Sequence, residues 1–104
     1  MNWIDVAPAE DIPEGGWKVA DVEGHLVAVF NLDGELFAIE DRCTHDGGEL
    51  TGGEIEDGCI ACPRHGARFD IRTGAVLSPP AYDDVMTFPV RIQQGRVQVG
   101  DEPA

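Results

Sequence analysis

Apolar and polar positions alternate along most of this chain in short runs with a period of two residues. Runs rich in β-branched and aromatic residues recur about every eight to twelve positions, punctuated by Gly, Asp-Gly or Pro. They predict strands near Trp3–Val6, Trp17–Val22, His25–Phe30 and Glu35–Ile39. Further strands are expected near Glu54–Glu56, Cys59–Ala61, Arg68–Asp70, Val76–Leu77, Val85–Ile92 and Arg96–Val99. Asp33-Gly34 and Asp57-Gly58 are residue pairs that tolerate positive φ in two-residue hairpin turns, and Glu23-Gly24, Thr73-Gly74 and Gln94-Gly95 are similar. No long window repeats apolar residues at i, i+3, i+4 and i+7, and 13 Gly with 7 Pro oppose a helix. There is no internal repeat, linker or low-complexity stretch. The expectation is one all-β domain over residues 1–104.

Length supports this reading. A chain of 104 residues buries about two-thirds of its unfolded surface, enough for a core without disulfide staples. The formal net charge of −13 is unevenly placed: residues 1–60 hold 15 acidic and 2 basic side chains, residues 61–104 hold 5 of each. Nucleic acids and anionic membranes need clustered Lys and Arg, so neither is an expected partner. The N-terminus, Met1-Asn2-Trp3-Ile4-Asp5, lacks the basic and apolar segments of a signal peptide. The longest apolar run, Leu26–Phe30, is far shorter than a bilayer span. A soluble, cytoplasmic, monomeric protein is expected. Its 3 cysteines then read as ligands or catalysts before bridges.

Two segments interrupt the strand rhythm, Asp41–Gly48 and Cys62–Ala67. Each holds one Cys and one His: Cys43-x-His45, sixteen intervening residues, then Cys62-x₂-His65. Cysteine and histidine alternate between the loops, so two facing loops can offer two thiolates to one metal and two imidazoles to a second. The competing arrangement is a structural zinc site, whose usual pattern pairs Cys with Cys and His with His; the interleaved order here opposes it.

Cys59 forms a nominal C-x-x-C with Cys62, but no βαβ unit supports a redox dithiol. Three extended residues separate the two Cα atoms by roughly 10 Å and aim the side chains at opposite faces. Cys59 is therefore read as a small buried strand residue. His25 is read as a partly exposed strand residue, and Asp41 and Asp46 as solvated turn formers. Arg42, Arg64 and Arg68 are read as surface charge, with a redox partner as the candidate contact.

Cys43-Thr44-His45 and Cys62-Pro63-Arg64-His65-Gly66, at this spacing, closely resemble the motifs of the Rieske [2Fe–2S] family. The resemblance covers nearly the whole chain, and Ser78-Pro79-Pro80-Ala81 resembles the proline-bearing loop that covers the cluster in these proteins. It implies an antiparallel β-sandwich with a small cluster-binding subdomain of two loops, at about residues 41–81. It also implies one [2Fe–2S] cluster, with Cys43 and Cys62 on the inner iron and His45 and His65 on the outer iron. Backbone N–H groups of Gly47, Gly48, Gly66 and their neighbours are expected to point at the sulfurs.

Departures from the respiratory branch narrow the expectation. Where those members carry a disulfide between the loops, this chain has Gly48 and Arg64; where they carry a serine hydroxyl donating to a cluster sulfur, it has Ala67. Fewer hydrogen bonds to sulfur imply a potential near the low end of the Rieske range, roughly −150 mV. The chain looks like a ferredoxin of multicomponent bacterial oxygenases. Such a carrier takes electrons from an NAD(P)H-dependent flavin reductase and passes them to a terminal non-haem iron oxygenase. The 39 residues after His65 leave no room for an oxygen-activating domain, so an electron carrier without catalytic residues is expected. Alternatives are the small subunit of an assimilatory nitrite reductase, a redox sensor, or a zinc-stabilised interaction module.

Overall fold

A computed structural model describes residues 1–104. Its ten strands are β1 (Trp3–Pro8), β2 (Trp17–Val22), β3 (His25–Leu32), β4 (Glu35–Glu40), β5 (Ile55–Glu56), β6 (Cys59–Ala61), β7 (Arg68–Asp70), β8 (Thr87–Phe88), β9 (Val90–Gln93) and β10 (Arg96–Gly100). The only helix is one 3₁₀ turn, Ala9–Asp11. The strands form three antiparallel sheets, in the orders β1-β10-β9, β2-β3-β4-β8 and β5-β6-β7.

The four-stranded sheet is the middle layer, and strand alternation explains how. Val27 and Val29 of β3 face a core shared with Ile12, Val97 and Val99, on the side of the β1-β10-β9 sheet. Ala28, Phe30 and Leu32 face the opposite core, with Ile60, Phe69, Cys43 and Cys62. Both faces of β3 are thus covered, so its sequence reads as a continuous apolar run. The first core closes the sandwich. The second fastens a small subdomain, built on β5-β6-β7, to the sandwich's other face.

Four of the five expected hairpin turns form as two-residue turns. Glu23-Gly24, Asp33-Gly34, Asp57-Gly58 and Gln94-Gly95 all have positive φ at both residues, the backbone of a type I′ turn that matches strand twist. Thr73-Gly74 lies instead in a wider loop, where the Asp70 carboxylate accepts the N–H groups of Arg72 and Thr73.

Two expected strands differ. Val76–Leu77 contributes a single bridge, between Val76 and Phe69. The run Val85–Ile92 is broken by Pro89: Thr87–Phe88 pairs with β4, and Val90–Gln93 pairs with β10 in the other sheet. Proline has no N–H to continue a ladder. Its carbonyl accepts from Gly100 at 2.9 Å, so the chain changes sheets at this residue.

Candidate metal centre

The two loops containing Cys43 and Cys62 share one backbone turn. In the first, the N–H of Cys43 donates to the carbonyl of Gly48, and the N–H of Gly47 donates back to the carbonyl of Cys43, both at 2.7 Å. In the second, the N–H of Cys62 donates to the carbonyl of Ala67 at 2.7 Å, and that of Gly66 to the carbonyl of Cys62 at 2.9 Å. Gly47 and Gly66 have φ of 76° and 77°. The left-handed conformation reverses the chain after each histidine, and glycine adopts it without a Cβ penalty.

This turn corrects the expectation for the glycines and leaves it standing for their neighbours. The N–H groups of Gly47 and Gly66 are spent closing the loops, and that of Gly48 donates to the Asp46 carboxylate at 2.9 Å. The N–H groups that reach sulfur belong to His45 and Asp46 for Cys43, and to His65 and Arg64 for Cys62. Tight closure turns the amides of the intervening residues inward, onto the cysteine that opens the loop.

All four sequence-predicted donors meet at one end of the subdomain, and they meet as two sets. The sulfurs of Cys43 and Cys62 lie within 4.8 Å of each other and of an Asp46 oxygen; donor nitrogens of His45 and His65 form a second such group with Asp46. The imidazole rings stand edge to face, with centroids 5.0 Å apart. Cys43 and Cys62 are 0% and 2% exposed. His45 and His65 are exposed. Sulfur donors in an apolar core and nitrogen donors at the surface fit a centre with two unlike metal positions. A tetrahedral zinc site would draw all four donors into one group.

The thiols are not equivalent. Burial raises the Cys43 thiol above its ordinary value. At Cys62 burial acts in the same direction but is outweighed by the N–H groups of His65 and Arg64, by a hydrogen bond from Cys43, and by the Arg64 charge.

The segment around Ser78–Ala81 packs over the same end. Ala81 is buried in the apolar group that includes Cys43 and Cys62. The hydroxyl of Ser78 accepts the N–H of Arg68 at 3.1 Å, and the hydroxyl of Thr44 donates to the carbonyl of Asp83 at 2.7 Å. The first ligand loop and the strand that follows the second are thus tied to residues 78–83.

Other readings change. Cys59 is half-buried where a buried residue was expected, with its sulfur 3.8 Å from the Asp57 carbonyl and outside both donor groups. Asp41 is buried, not solvated; its carboxylate accepts the N–H groups of Leu50 and Thr51 and the hydroxyl of Thr51, each at 2.8 Å. Asp46 and Arg64 bind each other. Their partners lie on different loops, so no local motif marks them. His25 is a partly exposed strand residue, as expected, and pairs with Glu40 at 2.7 Å.

Residues 2–89 match the Rieske [2Fe-2S] domain. The chain belongs to this family. It is a Rieske-type ferredoxin, a carrier of electrons, and it holds one [2Fe–2S] cluster. It is 40% identical over 99 residues to the ferredoxin component of the naphthalene 1,2-dioxygenase/salicylate 5-hydroxylase systems of a Ralstonia species, covering 95% of each chain. It is 39% identical over 98 residues to the 3-phenylpropionate/cinnamic acid dioxygenase ferredoxin subunit of Escherichia coli K12, covering 93% of this chain and 92% of that one. Its fold matches the carbazole 1,9a-dioxygenase ferredoxin of Nocardioides aromaticivorans IC177 with a TM-score of 0.91 at 28% identity, covering 98% of this chain and 100% of that one. A similar match, with TM-score 0.91 and 31% identity, covers 98% of this chain and 95% of one chain in a complex of reduced oxygenase and oxidised ferredoxin. No helix is long and apolar enough to cross a membrane.

Proposed function

We propose that this ferredoxin carries one electron at a time from an NAD(P)H-dependent flavin reductase to the terminal non-haem iron oxygenase of a ring-hydroxylating dioxygenase system, as a cytoplasmic monomer. Cys43 and Cys62 hold the inner iron, and His45 and His65 hold the outer iron. Residues 1–104 act as one domain, with the cluster-binding subdomain at about residues 41–81. When bound, the cluster supplies a one-electron redox centre.

The carrying observation is the gradient of exposure across the four donors. The cysteines lie in the core, and the His65 side chain is 51% exposed. The chain therefore presents its imidazole edge outward, where a docked partner shortens the electron path. Amides from both loops face the sulfurs and stabilise negative charge on that side. The relatives support the choice of partner: the matched chains are ferredoxin components of dioxygenase systems, and one lies in a complex with an oxygenase.

The test begins with the visible absorption and EPR spectra of the purified protein, which should show a Rieske cluster. A colourless protein holding one zinc would sink the reading. Stopped-flow mixing should then show rapid reduction by a flavin reductase with NAD(P)H, and reoxidation by a ring-hydroxylating oxygenase. A cluster that no such reductase reduces favours a sensor.

A further inference from the structure

Arg64 stands on the second loop, yet its side-chain partners are on the first. Its Nε donates to Oδ2 of Asp46 at 2.6 Å, and its Nη2 donates to Oδ1 of Asp46 at 3.1 Å and to the Glu49 carbonyl at 2.9 Å. The guanidinium also lies over Gly48, in the space a β-carbon there would fill. One planar group thus touches three of the four positions from Asp46 to Glu49 on the opposite side. Fork-shaped pairing of this kind fixes geometry as well as adding energy.

Asp46 gives the contact a second consequence. Its carboxylate is the one acidic group within reach of both donor sets, and its Oδ2 is 3.3 Å from Nδ1 of His65. A free carboxylate there would compete with imidazole for an iron, since iron accepts both. Here neither oxygen is free. Oδ1 accepts from Gly48 and Arg64, and Oδ2 accepts from Arg64.

We propose that Arg64 is a positioning residue for the metal centre, latching the second loop to the first through Asp46 and Glu49 and holding the Asp46 carboxylate out of the donor set. The proposal rests on the ligand assignment above. Sequence position alone suggested a surface charge or a partner contact for this arginine; its hydrogen bonds are instead internal and bridge the loops. Ion pairing of a half-exposed guanidinium is weak when its only effect is Coulombic. The latch gains from a fork geometry, a backbone acceptor and a glycine that leaves it space.

The experiment compares three variants of the holoprotein, Arg64→Met, Asp46→Asn and the double variant, by the EPR spectrum of the reduced form and by the rate of iron loss to a chelator. Arg64→Met should lose iron about three- to tenfold faster, the equivalent of one charge-assisted hydrogen bond discounted for exposure, and should show altered g-values. Asp46→Asn should keep the wild-type g-values, because an amide does not compete as a carboxylate does. The double variant should recover the wild-type g-values while still losing iron fast. That recovery is the readout a purely structural role would not move. Unchanged g-values in Arg64→Met, or altered ones that persist in the double variant, overturn the exclusion of Asp46. Unchanged iron loss in Arg64→Met overturns the latch. A wild-type protein with no Rieske signal would instead overturn the ligand assignment.

Discussion

Gly53 lies so close to the carbonyl oxygen of Ala61 that a β-carbon on Gly53 would overlap that oxygen. Ala61 is the last residue of β6 and immediately precedes Cys62, so the packing of a glycine sets where the second ligand loop begins. Gly66 differs: a β-carbon there meets nothing, and only its φ of 77° penalises a larger residue. Gly66→Ala should therefore cost about 1–2 kcal/mol, the strain of a left-handed alanine. Gly53→Ala should cost clearly more, about 3 kcal/mol or loss of folding, because backbone must move. Urea denaturation of both variants checks the order, and equal costs would show that β6 shifts easily.

The Asp41 carboxylate is a buried acceptor for three donors at the exit of the first loop: the N–H groups of Leu50 and Thr51 and the Thr51 hydroxyl. Asp41→Ala strands two backbone N–H groups. We expect a loss of about 2–6 kcal/mol, from about 1–3 kcal/mol for each of the two unsatisfied donors. Asp41→Asn retains an acceptor oxygen and should lose less. Denaturant midpoints decide; an alanine variant within about 0.5 kcal/mol of wild type, the range of ordinary surface substitutions, would mean that water replaces the carboxylate.

Asp41, Asp46 and Arg64 also mark how far the sequence was legible. The strands, four hairpin turns and four donors could be read because each is a short-range pattern: alternation, a residue-glycine pair, a Cys and a His within one loop. Asp41 and Arg64 act on residues 9 to 18 positions away, and nothing local distinguishes them from solvated charges. The sulfur-facing amides were only partly legible for a related reason. Glycine content suggested which residues could turn, but the hydrogen bonds show that Gly47 and Gly66 close the loops, and the amides that lower the thiol pKa values belong to the residues before them. Pro89 was visible in the sequence; its consequence, a change of sheet, depended on which strands were neighbours.

Acid should expose the pairing of the first strand. The Arg96 guanidinium donates to Asp5 across β1 and β10, with Nε to Oδ1 at 2.9 Å, and holds that carboxyl below its ordinary value. A depressed folded pKa adds stability above the unfolded value of about 3.9, and the contribution is lost as pH falls through the folded value. Wild type should therefore exceed Asp5→Asn in urea midpoint at pH 7, and the gap should close below about pH 4. A gap that does not narrow at all between pH 7 and about pH 2.5, below the usual carboxylate range, would mean the asparagine disturbs the strand for another reason. Both side chains are about half exposed, so added salt should narrow the gap at pH 7.

Cys59→Ser should leave the visible and EPR spectra unchanged. The Cys59 sulfur lies apart from both donor groups, near a carbonyl that a serine hydroxyl could also donate to. Bleaching in this variant would assign the third cysteine a ligand role and undo the choice of Cys43 and Cys62 as the thiolate pair.

Ala67 offers the most direct test of how this chain sets its potential. It is fully buried beside the second loop, and its carbonyl accepts the Cys62 N–H at 2.7 Å. The Rieske resemblance places a serine hydroxyl at this position in respiratory members, where it donates to a cluster sulfur. Ala67→Ser adds that donor next to the Cys62 backbone without changing a ligand. A hydrogen bond to sulfur stabilises the extra electron of the reduced state more than it stabilises the oxidised one, so the potential should rise. One charge-assisted bond of about 1.4 kcal/mol corresponds to about 60 mV for a one-electron couple. Protein-film voltammetry reads the shift directly, and the absorption spectrum confirms that the cluster is intact. An unchanged potential in an intact variant would mean that the hydroxyl turns to a backbone carbonyl instead, and that the amides of His45, Asp46, Arg64 and His65 already set the sulfur environment alone.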